Sequence, residues 1–505
     1  MPASPPEADV CLILEGTYPY AMGGVSSWTH ELIQTQNHLT FSIVALASAD
    51  APAKLLYELP PNVVHLQTLR LQCLPKGKPA LPAGDEQKLF SILNENLRRL
   101  QQSNATLADL KNITEAFAPH RDRLGSNILL DSRSAWHMLE DMYRTTMPQV
   151  SFLDYFWSWR GLFGGLLSIL LADLPRAKTY HALCTGYAGL LLARARLETG
   201  RSCLVTEHGI YTNERRIEIA SAEWIDDPHS FNLSLQSSGR NLKDFWTDTF
   251  TNYSRLCYEA SDEIVTLYEG NHEFQLMDGA FPEKLRVIAN GIDAEKYASI
   301  SRKDHPPSVA LIGRLVPIKD IKTYIKAVHR LKNKIPDLRA WLLGPSDEDP
   351  EYARECLEMI EHFGLQETLL LPGKVNVSDY LGQIDVVVLT SLSEAQPLVL
   401  LEAGAAGLPV VATNVGACRE MIMGARSEHP NLGPGGAIVP LGSPAAVADE
   451  LYRLLSDRTY YKHCSASMQE RVRRHYRKAD QHGAYVELYR RLIEATDTKN
   501  LKKAA

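Results

Sequence analysis

Two glutamates eight residues apart, Glu394 and Glu402, sit in the segment Thr390-Ser-Leu-Ser-Glu-Ala-Gln-Pro-Leu-Val-Leu-Leu-Glu. The preceding run, Asp385-Val-Val-Val-Leu-Thr, reads as a buried strand, and Pro397 suits the first turn of a helix. At 1.5 Å per residue Glu402 then lies about 7–8 Å along the axis from Pro397. Carboxylates separated along one element can accept hydrogen bonds from hydroxyls at the two ends of an elongated ligand. Between them the helix start, Gln396-Pro397-Leu398-Val399, offers free N–H groups and a positive dipole end to an anion. A nucleoside diphosphate sugar has that layout: hexose, pyrophosphate, ribose. Taken alone, the pair fits as well a dipole-favoured carboxylate at a helix start and a solvated helix residue. The apolar residues on both sides of Glu402 favour a partnered carboxylate.

Three further clusters share the property of following an apolar, strand-like run. In Ala310-Leu-Ile-Gly-Arg-Leu-Val-Pro-Ile-Lys-Asp, Gly313 permits close backbone approach, and Arg314 and Lys319 place a forked donor and a point charge five residues apart, suited to pyrophosphate. Either cation alone reads as an ordinary surface residue; the position at a strand's carboxyl end favours phosphate. Gly23 and Gly24 follow the first strand and leave room for a ligand or make a tight turn. His208, in Thr206-Glu-His-Gly, can hydrogen-bond a sugar or an acceptor hydroxyl, or be a satisfied structural histidine; His181 is a weaker candidate of the same kind. There is no GxGxxG after a strand, no GxxxxGK[ST], no HExxH, and no GxSxG opening a helix after a strand.

Alternating strand and helix signals must position these residues. Asp9-Val-Cys-Leu-Ile-Leu-Glu, a helix from about Ser26 to Gln36, and Phe41-Ser-Ile-Val-Ala-Leu open a βαβ rhythm of continuous apolar strands, the mark of a parallel sheet covered on both faces. Strands are expected again at Lys178, Ser202, Glu263 and Arg286. Between them, 70–160 reads as a helical insertion, with Leu89, Ile92, Leu93, Leu97 and Leu100 at helical spacing. The polar, proline-bearing stretch 299–308 is expected as a linker. A second α/β domain follows, with strands at Val309, Ala340, Leu369, Asp385 and Val410 and a helical tail from Ser456. The expected fold is α/β, two Rossmann-like doubly wound domains facing across a cleft. Residues 1–290 form the first, 291–475 the second, and 476–505 a terminal helix packing back towards the first.

With 505 residues, 45% hydrophobic, 22% charged and a net charge of −7, the chain is an ordinary globular protein without the basic excess of a duplex nucleic-acid binder. Eight scattered cysteines with no CxxC read as buried thiols rather than disulfides or a zinc site. The first residues lack a secretory signal, and the longest apolar run, 161–172, falls short of the ~20 residues that span a bilayer. A cytoplasmic protein is expected.

Taken in order, the Gly-Gly loop, the His-Gly after a strand, Asn290-Gly-Ile-Asp, Gly-Arg-Leu-x-x-x-Lys, and Glu-x7-Glu followed by Ala-x-Ala-x-Gly-x-Pro-Val-Val-Ala resemble the retaining family 4 glycosyltransferases of GT-B fold. The likeness covers the second domain and the first outside its insertion. Segments 15–28, 206–216, 316–320 and 393–402 resemble a subgroup that builds bacterial exopolysaccharide. The resemblance implies transfer of a hexose or N-acetylhexosamine from a UDP-sugar to a polysaccharide acceptor. By it, Arg314 and Lys319 bind the diphosphate, Glu394 the sugar hydroxyls and Glu402 the ribose; Gly23 and Gly24 lie near the phosphates and His208 near the transferred sugar. No metal or cofactor is implied, since the two cations supply the charge magnesium supplies elsewhere. Asp320 stands where many relatives have glycine, and Ala395-Gln396 where many have Gly-Phe or Gly-Val. A GT-B sugar-nucleotide epimerase and a scaffold subunit of a membrane synthase are the alternatives, and an inner-membrane synthase complex is the partner the insertion could dock.

Overall fold

Runs of valine, isoleucine and leucine form the strands of two parallel sheets in the computed structural model, which describes residues 6–51, 54–222 and 240–504. Met1 to Pro5, part of the N-terminal stretch read above, and the final residue of the tail lie outside the described residues. The chain divides into two units: Met1–Thr266, His272–Arg286 and Tyr485–Ala505 in one, Leu267–Asn271 and Val287–Ala484 in the other.

The first unit holds β1 (Ala8–Glu15), β2 (Phe41–Ala47), β3 (Val63–Arg70), β4 (Ala177–Ala182), β5 (Ser202–Glu207), β6 (Glu263–Thr266) and β7 (Leu285–Val287). The sheet order is β3-β2-β1-β4-β5-β6-β7. Every pairing from β3 to β6 is parallel. β1 and β2 are almost wholly buried because helices cover both faces, so their sequences are continuously apolar rather than alternating. The second unit holds β8 (Ser308–Ile312), β9 (Arg339–Leu343), β10 (Leu369–Gly373), β11 (Val386–Leu389), β12 (Val410–Thr413) and β13 (Gly436–Val439). Its order is β10-β9-β8-β11-β12-β13, again parallel throughout.

The segment between β3 and β4 is helical, as its spacing predicts, but from Ala83 to Leu171 rather than 70–160. In the helix Ala83–Gln101, Leu89, Leu93, Leu97 and Leu100 are buried on one face. The apolar run 161–172 belongs to the helix Phe152–Leu171, where Leu162, Phe163, Leu166, Leu167, Ile169 and Leu170 pack into the core. Among the described residues no helix is long and apolar enough to cross a membrane.

The stretch 299–308 is not a free linker. Lys303 N–H donates to the Gly382 carbonyl at 2.8 Å, and the Arg302 guanidinium reaches Asp385 at 2.8 Å and the Ile384 carbonyl. Its partners are distant backbone and carboxylate groups, which leave no apolar trace in the sequence. The helix Lys478–Ala504 gives its later residues to the first unit, where the Tyr489 hydroxyl lies 2.7 Å from His181 Nδ1.

Candidate functional site

In the second sheet the chain leaves β8 towards β9 on one side and returns to β11 on the other. The carboxyl ends of β8 and β11 therefore open a crevice that no connection crosses, the place where open α/β sheets bind ligands. Gly313 and Arg314 leave β8, and Thr390 to Glu394 leave β11. Thr390 Oγ1 donates to the carbonyls of Lys319 (2.9 Å) and Asp320 (3.0 Å), and Leu392 N–H to that of Ile318 (2.8 Å). So fastened, the two loops set Lys319 Nζ 2.5 Å from Glu394 Oε1, to which Ser391 Oγ also donates at 2.6 Å. The side chains are only 21% and 14% exposed, which leaves their attraction little screened yet within a ligand's reach.

Asp320 has a left-handed backbone, φ 45°, while its carboxylate accepts from Thr323 N–H and caps the helix Ile321–Lys332. A residue with a Cβ is strained there, and the cap offsets part of that cost. Gly344 answers a second close approach, since a Cβ on it would fall 1.9 Å from the Gly313 carbonyl oxygen. With Leu315 N–H bonded to the Pro345 carbonyl, this brings in the loop after β9, and Glu348 accepts from Arg314 Nη1 through both oxygens at 2.6 and 2.5 Å. Both residues are about half exposed, so this pair is weak and displaceable.

Pro397 is the N-cap of the helix Leu398–Ala405, one position before the first-turn place expected. Leu398 and Val399 form the first turn, whose N–H groups have no carbonyl within the helix. Leu398 is exposed and Val399 half-buried. Gln396 is buried, its amide oxygen accepting from Asn290 N–H (2.8 Å) and its nitrogen donating to the Asn290 carbonyl (3.2 Å). That side chain holds backbone rather than facing a ligand. Glu402 has the partner its apolar neighbours called for: its Oε1 accepts from the Tyr297 hydroxyl at 2.9 Å. Burial, and then Glu402, push the Tyr297 hydroxyl well above its usual range. Glu348 and Tyr297 were not legible as site residues. The signal for Glu348 was its place in Asp-Glu-Asp after a strand; Tyr297 carried none.

The first sheet has the same kind of switch between β1 and β4. There a cavity of about 780 Å³ is lined by Glu15 at the end of β1, Leu183 and Cys184 after β4, and His208 after β5. Gly23 caps and Gly24 begins the helix Gly24–Thr35; both are exposed, and an added Cβ would meet no atom within 4 Å. His208 lies edge-on to Trp28 with ring centres 4.7 Å apart. Burial lowers its pKa to about 4, so the ring is neutral, and its Nε2 is buried without a hydrogen-bond partner among the described residues. Such a nitrogen beside a cavity is a polar group that a ligand can satisfy. His181 is the satisfied structural histidine instead, wholly buried between Tyr489 and Thr206 Oγ1 (2.9 Å) and lowered to about 3 by burial.

Next to His208, burial raises the Glu207 carboxyl to about 7, against the hydrogen bonds it accepts from Gln275 (2.9 Å) and the Tyr258 hydroxyl (2.6 Å). A folded pKa above the unfolded one means that stability is lost as pH rises from about 4.5 through 7. Glu207→Gln, which cannot ionise, should therefore melt above the parent at pH 8, with most of the advantage gone by pH 5. An equal advantage at both pH values in calorimetric scans would remove the assignment.

Two Rossmann-like parallel sheets of seven and six strands are the GT-B architecture of glycosyltransferases. HepE from Anabaena, solved in complex with UDP, matches 95% of this chain and 99% of its own with a TM-score of 0.55 at 12% identity. Sucrose-phosphate synthase from Thermosynechococcus elongatus matches 96% and 99% with a TM-score of 0.55 at 18% identity. By sequence, residues 8–283 match the family model described as a domain of unknown function (DUF3492), and residues 306–457 match the model for glycosyl transferases group 1. The chain belongs to the DUF3492 family and carries a group 1 glycosyltransferase domain after it. A curated relative, the D-inositol 3-phosphate glycosyltransferase of Kribbella flavida, is 30% identical over 179 residues, 31% of this chain and 42% of that protein. The first matched curated relatives are covered over about two fifths to two thirds of their lengths.

Proposed function

We propose that the protein is a retaining glycosyltransferase that moves a hexose or N-acetylhexosamine from a UDP-sugar to a growing exopolysaccharide. Its segments 15–28, 206–216, 316–320 and 393–402 resemble those of PelF, the cytosolic glycosyltransferase of Pel exopolysaccharide synthesis in bacterial biofilms. The observation that carries the reading is the Lys319–Glu394 pair at the switch point of the second sheet. The HepE complex with UDP supports a nucleotide donor.

In this reading Lys319 and Arg314 neutralise the departing diphosphate, which the N–H groups of the first turn at Leu398 and Val399 also face. Incoming phosphate displaces Glu348 from Arg314. Glu394, released from Lys319 in part, accepts hydrogen bonds from the sugar, and Glu402 from the ribose. The acceptor hydroxyl attacks on the face the UDP leaves, and a donor phosphate oxygen takes its proton, so no protein nucleophile is needed and the two cations stand in for a metal. His208, neutral, offers its unpartnered Nε2 to a saccharide in the first unit's cavity.

The test is a panel of UDP-glucose, UDP-N-acetylglucosamine and UDP-N-acetylgalactosamine, scored for binding and for UDP release with and without glycan acceptor. Acceptor-dependent UDP release supports transfer. Interconversion of UDP-sugars without UDP release would make the protein an epimerase, and binding without turnover a scaffold. Glu402→Ala should weaken UDP itself about tenfold, the scale of one lost charge-assisted hydrogen bond. Unchanged UDP affinity in calorimetry would remove Glu402 from the ribose.

A further inference from the structure

The walls of the first unit's cavity carry a charge pattern that says which acceptors fit. We propose that this cavity receives a hydroxyl- or amino-bearing saccharide end and turns away phosphorylated or carboxylated acceptors; the proposal rests on the glycosyl-transfer reading above.

Three carboxylates line the cavity, Glu15, Asp50 and Glu214, against a single cation, Arg215. Arg215 is only partly engaged, its Nε buried without a hydrogen-bond partner among the described residues. It donates to Glu218 at 2.6 Å and its guanidinium lies over the rings of Tyr211 (4.9 Å) and Phe250 (5.8 Å). Arg70, on β3, gives Nη1 to the carbonyls of Ala49 (2.7 Å) and Ala51 (3.1 Å), which holds the loop presenting Asp50. His208 stays neutral, so it adds no positive charge. A phosphate entering here would meet three carboxylates against one cation, a net negative charge.

The same groups suit a sugar. Glu15 is fixed, its Oε2 accepting from Ala188 N–H (3.1 Å) and the Cys184 thiol (3.5 Å) and its Oε1 from the Tyr211 hydroxyl (3.0 Å), and Oε1 has a second lone pair for a hydroxyl or ammonium. Gln72 spends its amide nitrogen on the Gly161 carbonyl (3.0 Å), which leaves its oxygen as an acceptor. Glu15 and Gln72 thus present acceptors, which suit ligands rich in O–H and N–H donors. At about 780 Å³ it falls in the ~300–1,000 Å³ range of small-ligand sites.

The test uses the full chain and three forms of one oligosaccharide: N-acetylated, de-N-acetylated, and phosphorylated at a terminal hydroxyl. Acceptor KM at saturating UDP-sugar, and Kd by calorimetry without donor, are both measured. The phosphorylated form should bind at least about tenfold more weakly than the other two. Asp50→Asn with Glu214→Gln, both at exposed positions, should close that gap several-fold; Glu15→Gln is the second variant, and calorimetric scans establish that each is folded. Equal binding of the phosphorylated form, a gap unmoved in the folded variants, or no binding of any form would overturn the proposal. Binding in the expected order without transfer would instead overturn the glycosyl-transfer reading and leave the pocket's selectivity standing.

Discussion

Lys319→Ala should lower kcat/KM for sugar transfer about 10³-fold while the protein stays folded. Two penalties add in this variant. The ammonium that faces the developing diphosphate charge is gone, and Glu394, now without its partner at 2.5 Å, turns its charge on the incoming anion. The side chain is 21% exposed and the loop stays fastened through Thr390 and Leu392, so the fold does not depend on it. Arg314→Ala should cost less, about 10²-fold. Its guanidinium is half exposed and must first leave Glu348, whereas Lys319 is held in place before the ligand arrives. Near-normal transfer by a folded Lys319→Ala variant, measured with saturating acceptor, would sink the phosphate assignment. A larger loss in Arg314→Ala than in Lys319→Ala would reverse the roles of the two cations.

Arg314, Lys319, Glu394 and His208 stand out in the sequence because each lies in a loop after a continuous apolar strand, and Glu402 because its charge interrupts an apolar helix. Their partners do not. Glu348 lies 34 residues from Arg314, and Tyr297 lies 105 from Glu402, and only tertiary packing makes them neighbours. The Gln396 side chain is a like case: its amide is taken by Asn290, 106 residues away. Among the elements, β1, β2, β8, β9, β11 and β12 announced themselves as runs of valine, leucine and isoleucine. β3, Val-Val-His-Leu-Gln-Thr-Leu-Arg, is a half-buried edge strand whose polar residues break the run, and β13, Gly-Ala-Ile-Val, has only two branched apolar residues. The helix Leu242–Ala260 buries Phe245, Phe250, Tyr253, Leu256 and Cys257 at helical spacing, but threonine, asparagine and serine, poor helix formers, lie between them. Tertiary packing decides that helix.

Arg471→Met should destabilise the second unit by about 3–5 kcal/mol, the cost of removing one partner from a buried ion pair. Arg471 and Glu428 are 1% and 4% exposed. The guanidinium donates to both Glu428 oxygens (2.6 and 3.0 Å) and to the carbonyls of Ile422 (2.8 Å) and Gly433 (2.6 Å). Burial pushes the Glu428 carboxyl up, but the Arg471 bonds and Leu432 N–H outweigh it and hold the pKa below its usual value. The pair's contribution is therefore present above the ordinary carboxylate pKa of about 4.3 and lost as pH falls through the lower folded value. In Arg471→Met the sign reverses. The stranded Glu428 is easier to bury protonated, so the variant should lose more stability at pH 8 than at pH 5. Adding Glu428→Leu should recover much of the loss, since apolar replacement of a whole buried pair is near neutral, short of the cost of two orphaned carbonyls. Scanning calorimetry at the two pH values reads all three outcomes, and a loss below about 1 kcal/mol in the single variant would remove the pair from the unit's stability. The consequence reaches the site through packing. Met468 and Val472, on the same helix as Arg471, lie so close to Gly404 that a Cβ there would fall 2.7 and 3.0 Å from them. The helix that carries Glu402 leans on the helix that Arg471 anchors, so loosening the pair loosens the carboxylate assigned to the ribose.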